Sequence, residues 1–334
     1  MGKYKVTCLE KDEYERWNEF VDKSPQGTIF HKTYWLETLG NNFEVYKCLK
    51  GQETVGGVPV NYTQLKSLKI AHPPKFTPYG GPIFRKEMGK YVSKISTRKK
   101  ANKALIKKLK ENFSVVYNWN TSPNTEDLQP FIWEGFSTEL KYTYVLPLND
   151  LDIIWENMDR GRRKDIRKGL ENEELYVEIG NDFEELYTLV EKAYSRKEKN
   201  PIDRGIARNI DEIVRERNRC KTFIVKNKES LPLAGIYIIW DEKRAYQLLS
   251  GFDPENSPRE ANPLAIWKAI EFTNNEISPT EYDFEGSMIP GIEQYFRSFG
   301  GKLIPIFQLN WAVSSILLKL LGNDFLRKII KEIK

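Results

Sequence analysis

The sequence predicts two tandem domains of mixed α/β (α+β) structure with mixed sheets, followed by a terminal helix. The chain has 334 residues, which exceeds the length of one ordinary domain. Its hydrophobic content of 40% and charged content of 30% are typical of a globular protein. The order of helices and strands in the first half returns in the second, without a letter-by-letter repeat. We place the domains at 1–140 and 141–311, and an amphipathic helix at 312–334.

Apolar spacing predicts the elements of the first half, because a period of 3.6 indicates a helix and alternation indicates a strand. In order, they are a helix around 14–21 that ends at the turn 24–27, a short helix around 34–39 that stops at Gly40, strands at 43–49, 54–63 and 67–71, a Pro/Gly-rich loop at 72–82, a basic helix and a strand at 113–120.

The second half begins with a strand and a pair of basic helices, and then alternates strands with longer helices. In order, the predicted elements are a strand at 142–148, two helices within 151–171, a strand at 175–179, helices at about 182–198 and 206–218, strands at 221–227, 231–240 and 244–251, a helix at about 261–275, a strand at 281–286, a helix at 290–299 and a strand at 301–311.

Several classes of protein do not fit this composition. No run of about 18 apolar residues is present, so the sequence predicts no membrane-spanning helix. The first ten residues lack the apolar core of a secretion signal. The three cysteines lie far apart without CxxC spacing, which suits a reducing compartment, and two histidines are too few for a histidine-rich metal site. We expect a cytoplasmic protein without a bound metal.

Positive charge is concentrated in two segments of the chain. Residues 85–110 hold eleven Lys/Arg against one acid, Glu87, and residues 159–169 hold six against two. Such clusters attract nucleic acid, a nucleotide pyrophosphate or an anionic membrane. A solvated helix face is the alternative for 85–110, since its apolar residues follow helical spacing. The basic amphipathic tail 312–334 fits either a membrane interface or a helix docked on the protein.

Charged residues near predicted strand ends are the candidates for chemistry. The chain has no GxSxG, GxxxxGK[ST] or HExxH motif, and no glycine-rich turn of the kind that holds the CoA pyrophosphate. Asp283 and Glu285 alternate along strand 281–286, so both could face one crevice and take a proton from an attacking amine. Capping of the helix that begins near Pro290 is the alternative role.

A pair of arginines in the second basic segment is the candidate for phosphate binding. Arg163 and Arg167 are four residues apart and share a helical face. Two guanidiniums so spaced can clamp a diphosphate. The alternative is an exposed helix face on which the two arginines pair with the acids Asp159, Asp165 and Glu171.

Several segments resemble the FemAB-like acyltransferases, and together they cover the chain from about Tyr14 to Asn310. They are WNEFVDKSPQGTIFHKTYWLETLG, PYGGP, YTYVLPL followed by RRKDIRKG, YQLLSG and YDFEGSMIPGIEQYFRSFGG. The resemblance implies two tandem GNAT-like domains. Its best-known members transfer an amino acid from aminoacyl-tRNA to an amine of a peptidoglycan precursor, and relatives use acyl-CoA.

The resemblance also implies roles for individual residues. Arg163 matches the position that binds the phosphates of a nucleotide-linked acceptor. Tyr295 and Phe296 match a Phe-Lys pair whose lysine assists transfer, so that lysine is missing here, and Arg297 is the candidate substitute. Residues that we expect to line the same crevice are Tyr246, Ser250 and Asn262, the last with helix capping as its alternative role.

The sequence therefore predicts a cytoplasmic N-acyltransferase that acts on an amine of a cell-envelope precursor or nucleotide-linked sugar. The donor is acyl-CoA, which the missing lysine favours, or aminoacyl-tRNA, which the basic helix favours. The predicted partners are that small acceptor, tRNA, and a membrane surface touched by the terminal helix. The alternative is a non-catalytic nucleic-acid- or membrane-binding protein on a degenerate GNAT-like fold. Oligomeric state is left open.

Overall fold

The computed structural model describes residues 4–39, 42–195, 203–277, 279–314 and 316–317. The strands are β1 Tyr4–Cys8, β2 Phe43–Lys50, β3 Glu53–Leu65, β4 Leu68–Ala71, β5 Ile83–Phe84, β6 Val115–Asn120, β7 Ser137–Pro147, β8 Leu175–Gly180, β9 Cys220–Asn227, β10 Pro232–Trp240, β11 Arg244–Phe252, β12 Glu281–Asp283 and β13 Lys302–Ala312.

Helices alternate with these strands, and the predicted mixed α/β class is confirmed. They are α1 Tyr14–Lys23, α2 Thr33–Thr38, α3 Tyr91–Asn112, α4 Gln129–Trp133, α5 Leu151–Asn157, α6 Arg160–Glu171, α7 Phe183–Ser195, α8 Arg204–Arg215, α9 Ala261–Glu276 and α10 Pro290–Arg297, with short 3-10 turns at Lys11–Glu13 and Ile29–His31. Gly40, 196–198 and most of the predicted tail helix (315 and 318–334) lie outside the described residues.

The first compact unit comprises the described residues up to Lys141 and those from Pro305 onward. Its strands are hydrogen-bonded in the order β1-β2-β3-β4-β6-β13, and β5 pairs with β3. β4 and β6 run parallel, with α3 in the crossover between them. α3 buries Leu105, Ile106 and Leu109 against sheet residues that include Val58 and Val116. This is the helical apolar face that the sequence predicts for the basic helix.

The second compact unit comprises Tyr142–Ile304. Its strands follow the order β7-β12-β11-β10-β9-β8, and β11 runs parallel to β12 across the crossover helix α9. α9 packs its apolar residues against β9 and β10 in one core. α7 packs against β10 and β11. Parallel strands need a crossover of this length, so α9 fixes where β12 can begin.

One strand end and one domain boundary differ from the sequence prediction in ways that bear on the site. The predicted strand 281–286 ends at Asp283, because Glu285 and Gly286 have φ values of 54° and 52° and leave the strand conformation. The predicted second domain ran to 311, whereas residues from Pro305 onward belong to the first unit. The alternating pattern of β13 predicts a strand, but it does not indicate which of the two units that strand belongs to.

Much of the basic segment 85–110 is neutralised locally. Five of its eleven Lys/Arg form ion pairs with carboxylates, among them Arg98 with Glu126 and Lys99 with Asp127. This pairing supports the surface-helix interpretation for that part of α3. None of the described helices combines the length and apolarity needed to cross a bilayer.

We expect the contact between α7 and β11 to tolerate no side chain at Gly251. A Cβ there would lie 2.3 Å from the backbone N of Val190, which is far inside van der Waals contact. Gly251→Ala should therefore lower the free energy of unfolding by about 1–3 kcal/mol, as measured by urea denaturation. Gly291→Ala is the matched control, since nothing lies within 4 Å of its Cβ position. Equal stability of the two variants would contradict this account.

Candidate active site

The sheet of the second unit opens beyond the last paired residues of β11 and β12. Their parallel ladder ends at Tyr246 and Asp283, while β11 continues to Phe252. The chain turns away at Gly286, where a Cβ would lie 2.4 Å from the carbonyl oxygen of Tyr142, so only glycine fits. The end of β11 therefore extends beyond its parallel neighbour, and the side of β11 that faced β12 becomes available to a ligand backbone or carbonyl.

The corresponding opening in the first unit is closed by the chain itself. The parallel ladder of β4 and β6 ends at Ala71 and Val116. Beyond it, the amide of Gly80 donates to the carbonyl of Asn120 at 2.8 Å, and Gly80 forms a parallel bridge with Thr121. The PYGGP motif thus occupies this position. The second unit is therefore the one whose strand opening is free of this segment.

A polar pocket of about 570 Å³ lies in the second unit between α6, the turn before α9, and α10. Three arginines line it, namely Arg162, Arg259 and Arg297, together with the acids Asp159 and Asp165. Asp159 caps α6, where its Oδ1 accepts from the amide of Gly161 at 2.7 Å. The titratable lining side chains therefore carry a net positive charge, which favours an anionic ligand.

Arg162 is held rigidly in this pocket. Its Nε donates to Oγ of Ser298 at 2.9 Å, and its guanidinium carbon lies 4.2 Å from the ring centroid of Tyr295 and 4.8 Å from that of Phe299. Its Nη1 lies 3.5 Å from Asp165. A guanidinium packed against two rings presents its remaining donors in one fixed direction, which suits a carboxylate or phosphate.

The other two arginines are exposed at the mouth of the pocket. The Arg259 side chain is 81% exposed, with its Nε 3.3 Å from Asp165, and the Arg297 side chain is 59% exposed, with its Nε 2.8 Å from Glu293. Exposed ion pairs of this kind contribute little stability. Both guanidiniums can therefore turn toward an incoming anion at small cost to the fold.

The two candidate carboxyl groups have different surroundings. Asp283 is fully buried, accepts from Oγ1 of Thr143 at 2.7 Å and from the amide of Glu285 at 2.8 Å, and lies 3.6 Å from Nη1 of Arg244. These contacts give it a positioning role in the turn. The alternation that placed both carboxylates on one face ends with β12, because Glu285 is in the left-handed region.

Glu285 has the properties of a group that exchanges protons. Its Oε1 is buried and has no hydrogen-bond partner among the described residues. Burial and the nearby charge of Asp283 raise the pKa of its carboxyl well above the ordinary value. Such perturbed carboxyls are common at catalytic sites. Neither acid caps α10, whose N-cap residue is Ile289.

The substrate-binding candidates are spread over several environments, and their roles stay predictions. Tyr246 is buried, and its hydroxyl donates to Asp241 at 2.8 Å, away from the pocket lining. Ser250 is half-buried on β11 beyond the parallel ladder. Asn262 lies in the first turn of α9, where Glu260 is the N-cap residue, and its Oδ1 is buried without a partner among the described residues.

Arg163 and Arg167, which the sequence predicts to bind phosphate, are not among the described residues that line this pocket. Arg163 is half-exposed, and Arg167 is exposed with its guanidinium 5.9 Å from the Trp155 ring. Their neighbour Arg162 enters the pocket instead. The sequence could not select among three arginines within one and a half turns, since the contacts that single out Arg162 include residues far away in the chain, such as Tyr295 and Ser298.

Phe296, the residue in place of the expected lysine, is part of the apolar packing. Its ring stacks on Phe284 with centroids 5.5 Å apart. The preceding Tyr295 lines the pocket, and its hydroxyl is buried without a partner among the described residues. Phe284 immediately precedes Glu285, so this stack ties the segment that carries Glu285 to the helix that forms one pocket wall.

The turn between β11 and α9 contains a carboxylate, that of Asp253, which is hydrogen-bonded by donors of the chain itself. The carboxylate of Asp253 accepts from the amides of Glu255 and Asn256 at 3.0 and 3.3 Å, and from Nζ of Lys192 at 2.7 Å. Burial opposes its ionisation, but these hydrogen bonds outweigh it and lower the pKa of Asp253 from 3.8 to about 2. The donors that could cradle a phosphate at this turn are therefore already used.

Comparison with known proteins identifies the domain that contains this pocket. Residues 157–297 match the acetyltransferase (GNAT) domain family. The chain carries a GNAT-type acyltransferase domain. The match spans almost the whole pocket lining, from Asn157 to Arg297. Such a fold takes its acyl group from a co-substrate, for which acyl-CoA is the class implied, and needs no permanently bound cofactor. No curated protein matches the chain.

Solved structures of similar fold cover nearly the whole chain. The crystal structure of FemX is 15% identical, covers 96% of this chain and 100% of its own, and has a TM-score of 0.73. L-PGS from Bacillus licheniformis is 10% identical, covers 92% of this chain and 95% of its own, and has a TM-score of 0.58. A tandem GNAT protein from the clavulanic acid biosynthesis pathway is 10% identical, covers 92% of this chain and 98% of its own, and has a TM-score of 0.54. These likenesses confirm the expected FemAB-like, tandem GNAT fold.

We predict that the pocket arginines, and not Arg167, bind an anion. Arg259→Gln with Arg297→Gln should weaken pyrophosphate binding at least about tenfold, because each removes a charge-assisted hydrogen bond. Isothermal titration at moderate salt measures this affinity. Arg163→Gln with Arg167→Gln removes the same charge from the neighbouring helix face and should change it little. If the second double variant loses more pyrophosphate affinity than the first, the phosphate site lies on that helix face instead.

Asp253 gives a prediction about acid stability. A folded-state pKa below the unfolded value stabilises the fold above pH 4, and this contribution disappears as the pH falls toward 2. The shift from 3.8 to about 2 corresponds to about 2 kcal/mol. Asp253→Asn should therefore be less stable than the parent at pH 7 and approach it near pH 2 in urea titrations. A stability difference that stays constant between pH 7 and pH 2 would show that the pKa shift of Asp253 is not its cause.

Proposed function

We propose that the chain transfers an acyl or aminoacyl group from an activated ester or thioester to an amine on an anionic carrier. The observation that carries this proposal is the arginine-lined pocket in the GNAT-type domain, since the same domain contains the strand opening and Glu285, whose Oε1 is buried without a partner among the described residues. The acceptor fits an amine of a nucleotide-linked sugar or cell-envelope precursor, because such carriers bring phosphate charge. We propose the cytoplasm as the location, where these substrates are made.

The reaction asks for positioning, charge stabilisation and one proton acceptor. The amine nitrogen attacks the donor carbonyl carbon, an amide forms, and the ester C–O or thioester C–S bond breaks. Glu285 accepts the proton that the amine loses, and the leaving alcohol or thiol takes up a proton. The end of β11 that extends beyond its pairing with β12, from Gln247 to Phe252, supplies backbone amides for the carbonyl oxygen. Arg297 is suited to balance charge near the reacting group.

Between the two donors, Asp253 favours aminoacyl-tRNA. A CoA diphosphate at the turn before α9 would meet the Asp253 carboxylate, whose hydrogen bonds already use the local amides. The ester of a tRNA acceptor end does not need a phosphate at that turn. The missing lysine favours acyl-CoA, as the sequence indicates, so the choice of donor needs a direct test. The comparisons give no support to the non-catalytic alternative.

The donor test measures binding of fluorescent aminoacyl-tRNA at near-physiological salt, with acetyl-CoA as competitor. We expect binding that survives this salt and prefers charged over uncharged tRNA, which exceeds the non-specific phosphate contribution. Weak, salt-sensitive tRNA binding together with measurable acetyl-CoA affinity would select acyl-CoA instead. Binding of neither donor would overturn the transferase proposal.

Glu285→Gln should abolish most of the transfer without loss of stability. Removal of a general base lowers kcat by about a hundredfold or more. Because burial raises the pKa of Glu285, the parent rate should rise with pH through that raised pKa, and this acidic limb should disappear in the variant. Ionised Glu285 destabilises the fold as the pH rises, so the variant should match or exceed the parent melting temperature at pH 8.

Glu281→Gln is the matched control for this experiment, since Glu281 lies four residues earlier, on β12, and pairs with Arg244. It should keep the pH profile. An unchanged profile in Glu285→Gln, or a melting temperature that falls as much as the rate, would assign Glu285 a structural role.

A further inference from the structure

The first unit exposes a group of large apolar side chains around one groove. We call it the apolar face; its members are 46–88% exposed and are Met88, Tyr91, Val92, Ile132, Trp133 and Leu140. Tyr91, Ile132 and Leu140 line the same groove of about 570 Å³. Val92 follows Tyr91, Met88 precedes Tyr91 by three residues, and Trp133 follows Ile132. A cluster of this kind on a soluble surface indicates an interaction site.

Contacts on either side hold the apolar face in place. The carboxylate of Glu87, next to Met88, lies 3.8 Å from Nε of Arg98, and its side chain is 10% exposed. Arg98 also pairs with Glu126 at 3.1 Å, which ties α3 to the segment before α4. Nζ of Lys99 lies 4.9 Å from the ring centroid of Trp133. The exposure of Met88 and Trp133 is therefore part of the folded structure.

The charge around the apolar face is positive. Lys86 and Lys90 are exposed within two residues of Met88, and neither forms an ion pair with another described residue. Lys94 follows Tyr91 by about one helical turn. The acids on the groove, Glu126 and Asp127, are already paired with arginine and lysine. A ligand for this face must therefore combine an apolar interior with negative charge at its surface.

We propose that the apolar face docks the protein on an anionic lipid bilayer. Trp and Tyr prefer the boundary between headgroups and acyl chains, and Met and Val add apolar area beneath it. Lysines near the surface contribute about 1 kcal/mol each toward anionic lipid, which is about fivefold in affinity. The charge complementarity selects this occupant over an uncharged apolar partner. The proposal does not depend on the transfer reaction.

Vesicle co-sedimentation of the full chain tests the proposal. The probes are vesicles of phosphatidylglycerol and phosphatidylcholine in equal parts, and vesicles of phosphatidylcholine alone. We expect binding to the anionic vesicles that weakens with salt. Tyr91→Ser with Trp133→Ser, and separately Lys86→Gln with Lys90→Gln, should each reduce the partition coefficient at least about tenfold.

Matched controls keep the result specific. Tyr176→Ser with Ile179→Ser removes exposed apolar side chains from edge strand β8 of the second unit, and Lys5→Gln with Lys11→Gln removes the same charge elsewhere in the first. Both controls should bind as the parent does, and thermal melts confirm folding of every variant. Absence of parent binding, unchanged binding of both face variants, or a face variant that alters only the oligomeric state in light scattering would overturn the proposal.

Discussion

The parallel pairing of β11 with β12 is the constraint on which the proposed site depends. It lasts for three residue pairs and ends at Tyr246 and Asp283, after which Glu285 and Gly286 turn the chain away. The turn cannot shift by a residue, because Gly286 contacts the backbone of Tyr142 too closely for any Cβ. A longer ladder would cover the end of β11 and would leave Glu285 on a regular strand. The same short ladder therefore opens the sheet and takes Glu285 out of the strand.

The two units share an arrangement of strands that the chain itself fills in the first unit and leaves open in the second. Both contain a short parallel pair joined through a long helix. In the first unit the PYGGP segment bonds to Asn120 and fills the position beyond the pair. In the second unit, the Asp253 carboxylate accepts from the turn amides, and the Arg162 guanidinium is held by its contacts with the Tyr295 and Phe299 rings. Among the described residues, the second unit combines an arginine-lined pocket, a strand end beyond its parallel partner and a carboxyl of raised pKa.

Sequence reasoning succeeded where local patterns determine structure. The buried face of α3 follows from its helical spacing, and the division into two mixed units follows from the order of elements. It failed where distant contacts decide. The alternation of Tyr282 and Phe284 gives no sign that β12 ends at Asp283, because the backbone of Tyr142 imposes that end. Likewise, the contacts that single out Arg162 include Ser298 and two rings more than 130 residues away.

The most direct test of the account is amide hydrogen exchange with saturating donor, compared between the two strand openings. If transfer occurs at the opening of the second unit, protection should increase at residues 247–252 of β11 and remain unchanged at 117–121 of the first unit. Increased protection at 117–121, or no change at 247–252 with donor bound, would contradict the central claim that β11 holds the reacting carbonyl.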